Sequence, residues 1–109
     1  MSWKLYLDDK RSPLEQGFII ARNNNEAIKL VQENGMPIHV AFDYLLEDES
    51  TTDYFVYWLH QQVKKGNLLP EGFTYSVHTA FLEGKQIIQK YMNEKVIPTN
   101  NEMRLNPSN

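Results

Sequence analysis

A chain of 109 residues that is 41% hydrophobic, with five Phe, two Trp and six Tyr, carries enough apolar mass for one domain with a true core, which excludes disorder over most of its length. A formal net charge of −3 with no strongly basic block excludes broad electrostatic binding to duplex DNA. The absence of cysteine excludes a disulfide framework and a thiolate zinc site, and no apolar run approaches membrane-spanning length, so the expectation is a soluble cytoplasmic domain without membrane contact.

The first element is the alternating run Trp3-Lys4-Leu5-Tyr6-Leu7, a strand that stops at two adjacent carboxylates, Asp8 and Asp9. Lys10-Arg11-Ser12-Pro13 reads as a loop, because proline breaks both regular patterns. Gly17-Phe18-Ile19-Ile20-Ala21 is a second strand. Asn23 stands three residues before Glu26, as in a capping box, and opens a helix with Ala27, Ile28, Leu30 and Val31 on its apolar face and Gly35 as its stop. A third strand, Ile38-His39-Val40-Ala41-Phe42, ends at Asp43. The polar loop from Glu47 to Asp53 leads, through a cap at Thr51 or Thr52, into a helix marked by Phe55, Trp58, Leu59 and Val63 and closed by Gly66. After the turn Leu69-Pro70-Glu71-Gly72, a fourth strand, Phe73-Thr74-Tyr75-Ser76-Val77, ends at His78-Thr79. A last helix follows, with Gly84 near its start and Ile87, Ile88, Tyr91 and Met92 on one face. The order β-β-α-β-α-β-α predicts an α/β fold: a small doubly wound parallel sheet in strand order 2-1-3-4, with helices on both faces and no normal fifth strand. The domain is expected to cover residues 1–97, and the Asn-rich segment 98–109 to be a frayed polar tail.

Three strand ends carry polar chemistry, which places one site at the carboxyl edge of the sheet. Adjacent acids repel, so Asp8 and Asp9 together with Asp43 suit a hard cation, Mg²⁺ or Mn²⁺, that keeps coordination positions for a phosphate. An imidazole can shuttle a proton near neutral pH, so His78 suits proton transfer to a phosphoester oxygen. Thr79 offers a hydroxyl to a phosphate or caps the next helix, and Arg11 and Lys85 are cations close in sequence to the site. His39 lies at the amino end of its strand and His60 inside a helix, so both read as structural or solvated. The aromatics Tyr54, Phe55, Tyr57 and Trp58 read as packing, and Glu47, Asp48 and Glu49 as a solvated loop. No Gly-rich phosphate loop or serine-nucleophile motif is present.

The stretch Leu7-Asp8-Asp9-Lys10-Arg11-Ser12-Pro13 resembles the L-D-D-x-R-x-P signature of the cyclic-phosphate-processing receiver domain, a receiver-like (flavodoxin-like) family of bacteria and phages. Phe42-Asp43-Tyr44-Leu45-Leu46-Glu47 resembles its L-D-H-D-L-G motif, with Tyr44 and Leu45 in place of the histidine and second acid. Asp53 to Leu59 resembles G-Y-D-V-x-x-W-I. Val77-His78-Thr79-Ala80-Phe81-Leu82-Glu83-Gly84-Lys85 resembles V-H-S-A-N-P-x-G-R, with Phe81 in place of the asparagine. The resemblance spans about residues 3 to 94. It implies action on cyclic phosphates of nucleotides or RNA ends. It implies metal and acid/base roles for Asp8, Asp9, Asp43 and His78, and phosphate contacts at Arg11, Thr79 and Lys85. A wider resemblance to phosphoacceptor receivers would demand a lysine after a fifth strand, which this chain lacks. Two readings stay open. One is a metal-dependent phosphoesterase. The other is a catalytically degenerate module that binds a nucleotide or a protein partner.

Overall fold

The computed structural model describes residues 2–106. Its elements run β1 (Lys4–Leu7), β2 (Phe18–Ala21), α1 (Asn24–Asn34), β3 (His39–Phe42), α2 (Asp53–Lys64), β4 (Thr74–Val77), α3 (Leu82–Tyr91), a π-helical turn (Met92–Val96) and α4 (Ile97–Leu105). All strand pairs are parallel, and the order is β2-β1-β3-β4, as the β-α alternation predicts. The architecture is therefore the receiver-like α/β fold, ending at its fourth strand.

The period of two along each strand sorts the sheet into two faces. Leu5, Leu7, Ala21, Val40 and Phe42 share one face by register. They form one core with Ala27 and Val31 of α1, Phe55, Val56, Leu59 and Val63 of α2, Ile88 of α3, and Met92 and Val96 of the π turn. Tyr6, Phe18 and Ile20 alternate with that set and take no part in the core, and Thr74 and Ser76 on the same side are exposed. The helices thus gather on one face, where alternation had suggested both. The reason is local: β1 and β2 are joined by the loop 8–17, and no helix follows a fifth strand. An all-parallel sheet is ordinarily covered on both sides; among the described residues this face carries no helix.

The caps explain where elements begin and end. Asn23 Oδ1 accepts the Glu26 N–H at 2.8 Å, the first half of the expected capping box, but Glu26 Oε1 accepts from Arg22 N (2.7 Å), not from Asn23. Gly35 takes φ +81°, which a residue with a Cβ rarely adopts, while its N–H donates to Val31 O. Thr52 stands at the N-cap of α2, yet its hydroxyl donates to Asp43 O, tying the helix start to the end of β3.

The segment after Ile97 does not fray. Its polar composition hides two anchors: Asn100, almost fully buried, accepts the Leu69 N–H at 2.8 Å, and Arg104 donates to Leu69 O. The π turn inserts one residue into the helical repeat, and both of its ends, Met92 and Val96, are fully buried. Residues 107–109, the end of the expected tail, lie outside the described residues. Among the described residues no helix is long and apolar enough to cross a membrane.

Candidate functional site

β1 and β3 are neighbours in register, Leu7 beside Phe42, so the residues that follow them emerge side by side at the carboxyl edge. Asp43 N donates to Leu7 O, extending the ladder by one step, and His78 N does the same to Phe42 O. The sheet therefore delivers Asp8, Asp43 and His78 to one edge. Asp8, Asp9 and Asp43 each present a carboxylate oxygen within 4.8 Å of the others. They border a cleft of about 350 Å³ with Arg11 and Glu47.

Asp8 is fully buried and is the hub of the edge. Its Oδ1 accepts the backbone N–H of Lys10 and of Arg11, both at 2.9 Å. Its Oδ2 accepts from Arg11 Nε and from His78 Nε2, both at 3.0 Å. Burial alone would push its carboxyl up. The Lys10 and Arg11 amides, His78 and the Arg11 guanidinium outweigh that and hold it below the usual carboxylate range. Because the carboxylate only accepts, His78 Nε2 must carry the proton in this bond. His78 Nδ1 makes no hydrogen bond among the described residues, so it is the nitrogen with spare capacity. The His78 ring also stacks on Tyr6, with centroids 4.6 Å apart and planes 8° from parallel.

Arg11 stands between the acids. Its Nη2 lies 3.4 Å from Asp43 Oδ1 and donates to His78 O at 2.8 Å. Half of the Arg11 side chain still meets solvent, so its charge faces both the acids and any incoming anion. Asp43 Oδ1 also accepts the Tyr44 N–H at 2.8 Å, which leaves Oδ2 without a partner among the described residues. Asp9 Oδ2 accepts the Glu47 N–H and Oδ1 is likewise free. The all-oxygen donor set suits Mg²⁺ or Mn²⁺. The open positions are on Asp9 and Asp43, while Asp8 is already engaged by Arg11 and His78.

The other expected contacts are looser. Thr79 Oγ1 accepts the Phe81 N–H at 3.2 Å, a turn-forming bond that leaves its hydroxyl hydrogen available. Lys85 lies in the first turn of α3, and no hydrogen bond or ion pair ties it to the acids. His39 and His60 lie away from the acids, each bonded to two hydroxyls of the fold. His39 bonds Thr74 Oγ1 (2.7 Å) and Ser76 Oγ (3.2 Å), and His60 bonds Tyr91 OH and Thr99 Oγ1, both at 3.2 Å.

Two residues of the site carry no motif. Arg22 donates to Asp8 O, Arg11 O and Ser12 Oγ, clamping the loop that holds Asp8 and Arg11. The signal was present: Arg22 directly follows a strand, like the acids. Tyr6 was hidden inside its strand and is found only through its stacking on His78.

The replacements at Tyr44 and Phe81 meet in space. Their ring centroids lie 5.8 Å apart, and a Cβ on Gly84 would come within 2.3 Å of the Tyr44 ring. Tyr44 is buried and Leu45 exposed. An aromatic pair seated on the glycine of α3 thus fills the positions where the resembled motifs carry polar groups.

No curated protein and no solved structure matches the chain. A family model described as the cyclic-phosphate processing receiver domain matches residues 3–94. With the parallel order β2-β1-β3-β4 and the acid-rich carboxyl edge, that match assigns the chain to the cyclic-phosphate processing receiver domain family.

Proposed function

We propose that the carboxyl edge opens the cyclic phosphate of a nucleotide or of an RNA end. The observation that supports this most is the arrangement around Arg11: one half-exposed guanidinium beside a carboxylate–imidazole pair whose second nitrogen is free. Arg11 would receive the phosphate, with Thr79 and Lys85 as further contacts at the start of α3. Asp8 orients His78 through the bond to Nε2. A water attacks phosphorus, one ring P–O bond breaks, and His78 Nδ1 gives its proton to the departing sugar oxygen. Asp43, with Oδ2 free, takes the proton of the attacking water. Asp9 and Asp43, with the contested share of Asp8, would hold Mg²⁺ or Mn²⁺. A bound divalent ion would polarise a phosphoryl oxygen at this edge. The test is product formation from a nucleoside 2′,3′-cyclic phosphate with Mg²⁺, Mn²⁺ or chelator, by wild type and Asp43→Asn. Metal-dependent turnover lost in the variant is expected, and equal turnover by both would remove Asp43 from the reaction.

One observation favours a second reading, a catalytically silent module that binds a nucleotide or a protein partner. Arg11 already supplies positive charge between Asp8 and Asp43, and the Tyr44–Phe81 pair is apolar. Tight binding of the cyclic nucleotide without product, with every metal, would select it.

A further inference from the structure

The bare face of the sheet meets the acidic edge at Arg11. On that face lies an open cleft of about 720 Å³, lined among others by Tyr6, Phe18, His39, Ser76, His78 and, at its end, Arg11. That size is typical of small-molecule sites. Its rings form a continuous path. From His78 the centroids step to Tyr6 (4.6 Å), to Phe18 (5.6 Å) and to His39 (6.0 Å). Phe18 is half-exposed and contributes nothing to the core, so its burial does not explain its presence. Polar groups interleave with the rings. Ser76 and Thr74 are exposed hydroxyls bonded to His39, and each keeps capacity for a further bond because a hydroxyl both donates and accepts. Lys4 adds a cation 4.6 Å from the Phe18 ring centroid.

We infer that this face is a base-binding cleft: the purine or pyrimidine of a nucleotide stacks on the Tyr6–Phe18 surface, with its edge toward Ser76 and His39, while its phosphate reaches Arg11. The inference deepens the phosphate reading and rests on it for the position of the phosphate. A run of aromatic rings, Phe18 set edge-on to Tyr6 at 74°, with interspersed hydroxyls offers ring faces to a flat heteroaromatic group. Continuity through Arg11 supplies the charge complementarity that a bare protein-docking face would not need. The shared guanidinium sits at the cleft's end, where a nucleotide changes from neutral base to anionic phosphate.

The test uses backbone amide NMR of the full chain, with and without Mg²⁺, and three probes: adenosine, inorganic phosphate, and adenosine 2′,3′-cyclic phosphate. Adenosine should shift residues 4–6, 18–20, 39 and 76, and inorganic phosphate should shift Arg11 and His78. Phe18→Leu, at a half-exposed position outside the core, should weaken the cyclic nucleotide about tenfold and leave inorganic phosphate unchanged. Phe18→Trp should retain the affinity. Phosphate shifts without adenosine shifts overturn the base cleft and spare the phosphate site. Adenosine shifts without phosphate shifts do the reverse. Equal nucleotide affinity in Phe18→Leu and wild type overturns the cleft, as does a dimer of the free protein that dissociates in Phe18→Leu.

Discussion

Two polar clusters are built around histidines, and they differ in what they leave unspent. His60 lies between α2 and the C-terminal helix with both ring nitrogens bonded to hydroxyls, Tyr91 and Thr99. Every partner is neutral and the network closes on itself. His78, at the carboxyl edge, has one nitrogen on the buried carboxylate of Asp8 and the other free, with Arg11 half in solvent beside it. A closed neutral network fixes how helices pack. An open charged one holds donors and acceptors that no part of the fold consumes, and that residue of capacity is what a ligand would use. The chemistry proposed for the edge rests on this difference, not on the presence of histidine.

The sharpest way to break the comparison is to remove the hub of the open cluster. Asp8→Ala deprives two backbone amides, Arg11 and His78 of their shared acceptor. It should cost about 3 kcal/mol, less than a fully buried ion pair because Arg11 can turn to water. Urea unfolding measures it, and a loss under about 0.5 kcal/mol, the range of an ordinary surface change, would mean that Asp8 does not organise the edge.

Gly84→Ala probes the aromatic pair beside the open cluster. The added methyl collides with the Tyr44 ring and Cβ, so an overpacking cost of about 2 kcal/mol is expected, greater than any gain in helix propensity. Tyr44→Ala should relieve most of that cost in the double variant, and a thermal-melt cycle reads the coupling.

The closed cluster should be the cheaper one to remove. His60→Leu keeps volume in the core and exchanges two hydrogen bonds to partly exposed hydroxyls, at about 1 kcal/mol. A cost equal to that of Asp8→Ala would erase the distinction drawn above.

Acid separates the two clusters by pH, with the smallest effect. Burial, then Lys64 and Lys95, lower the His60 pKa. The unfolded chain binds the proton more readily, so the contribution of His60 is full above about pH 6.5 and declines as pH falls below it. His60→Leu should flatten part of that decline, with His39, also lowered by burial, supplying the remainder. Asp8 is held below its ordinary value, so its contribution persists to about pH 4 and is lost as pH falls further, through the folded pKa. Stability of wild type, His60→Leu and Asp8→Asn between pH 3 and pH 8 should show two separate windows, and a single shared window would contradict the assignment.

Much of the site was legible because sheets impose simple arithmetic. Period-two strands that end in Asp8, Asp43 and His78 must deliver those side chains to one edge once the pairing is parallel. Arg11 was legible as a nearby cation, but not as the bridge between Asp8 and Asp43, because that depends on how the loop turns back. The ordered C-terminal helix was hidden by its polar residues. Asn100 looks like tail composition until its contact with Leu69, thirty-one residues away in sequence, is seen. The bare face was equally illegible: a missing cover leaves no signature in the strands themselves. The contact of Tyr44 with Phe81 joins two motifs that appear independent in the sequence.

The most direct measurement is single-turnover opening of adenosine 2′,3′-cyclic phosphate, with Mg²⁺ or Mn²⁺, by wild type and His78→Ala. The account predicts turnover by wild type and a loss of roughly 10²–10⁴-fold in the variant, the usual contribution of one general acid or base. Metal affinity should be unchanged. Undiminished turnover in His78→Ala would contradict the account, and so would the absence of product in wild type with nucleotide bound.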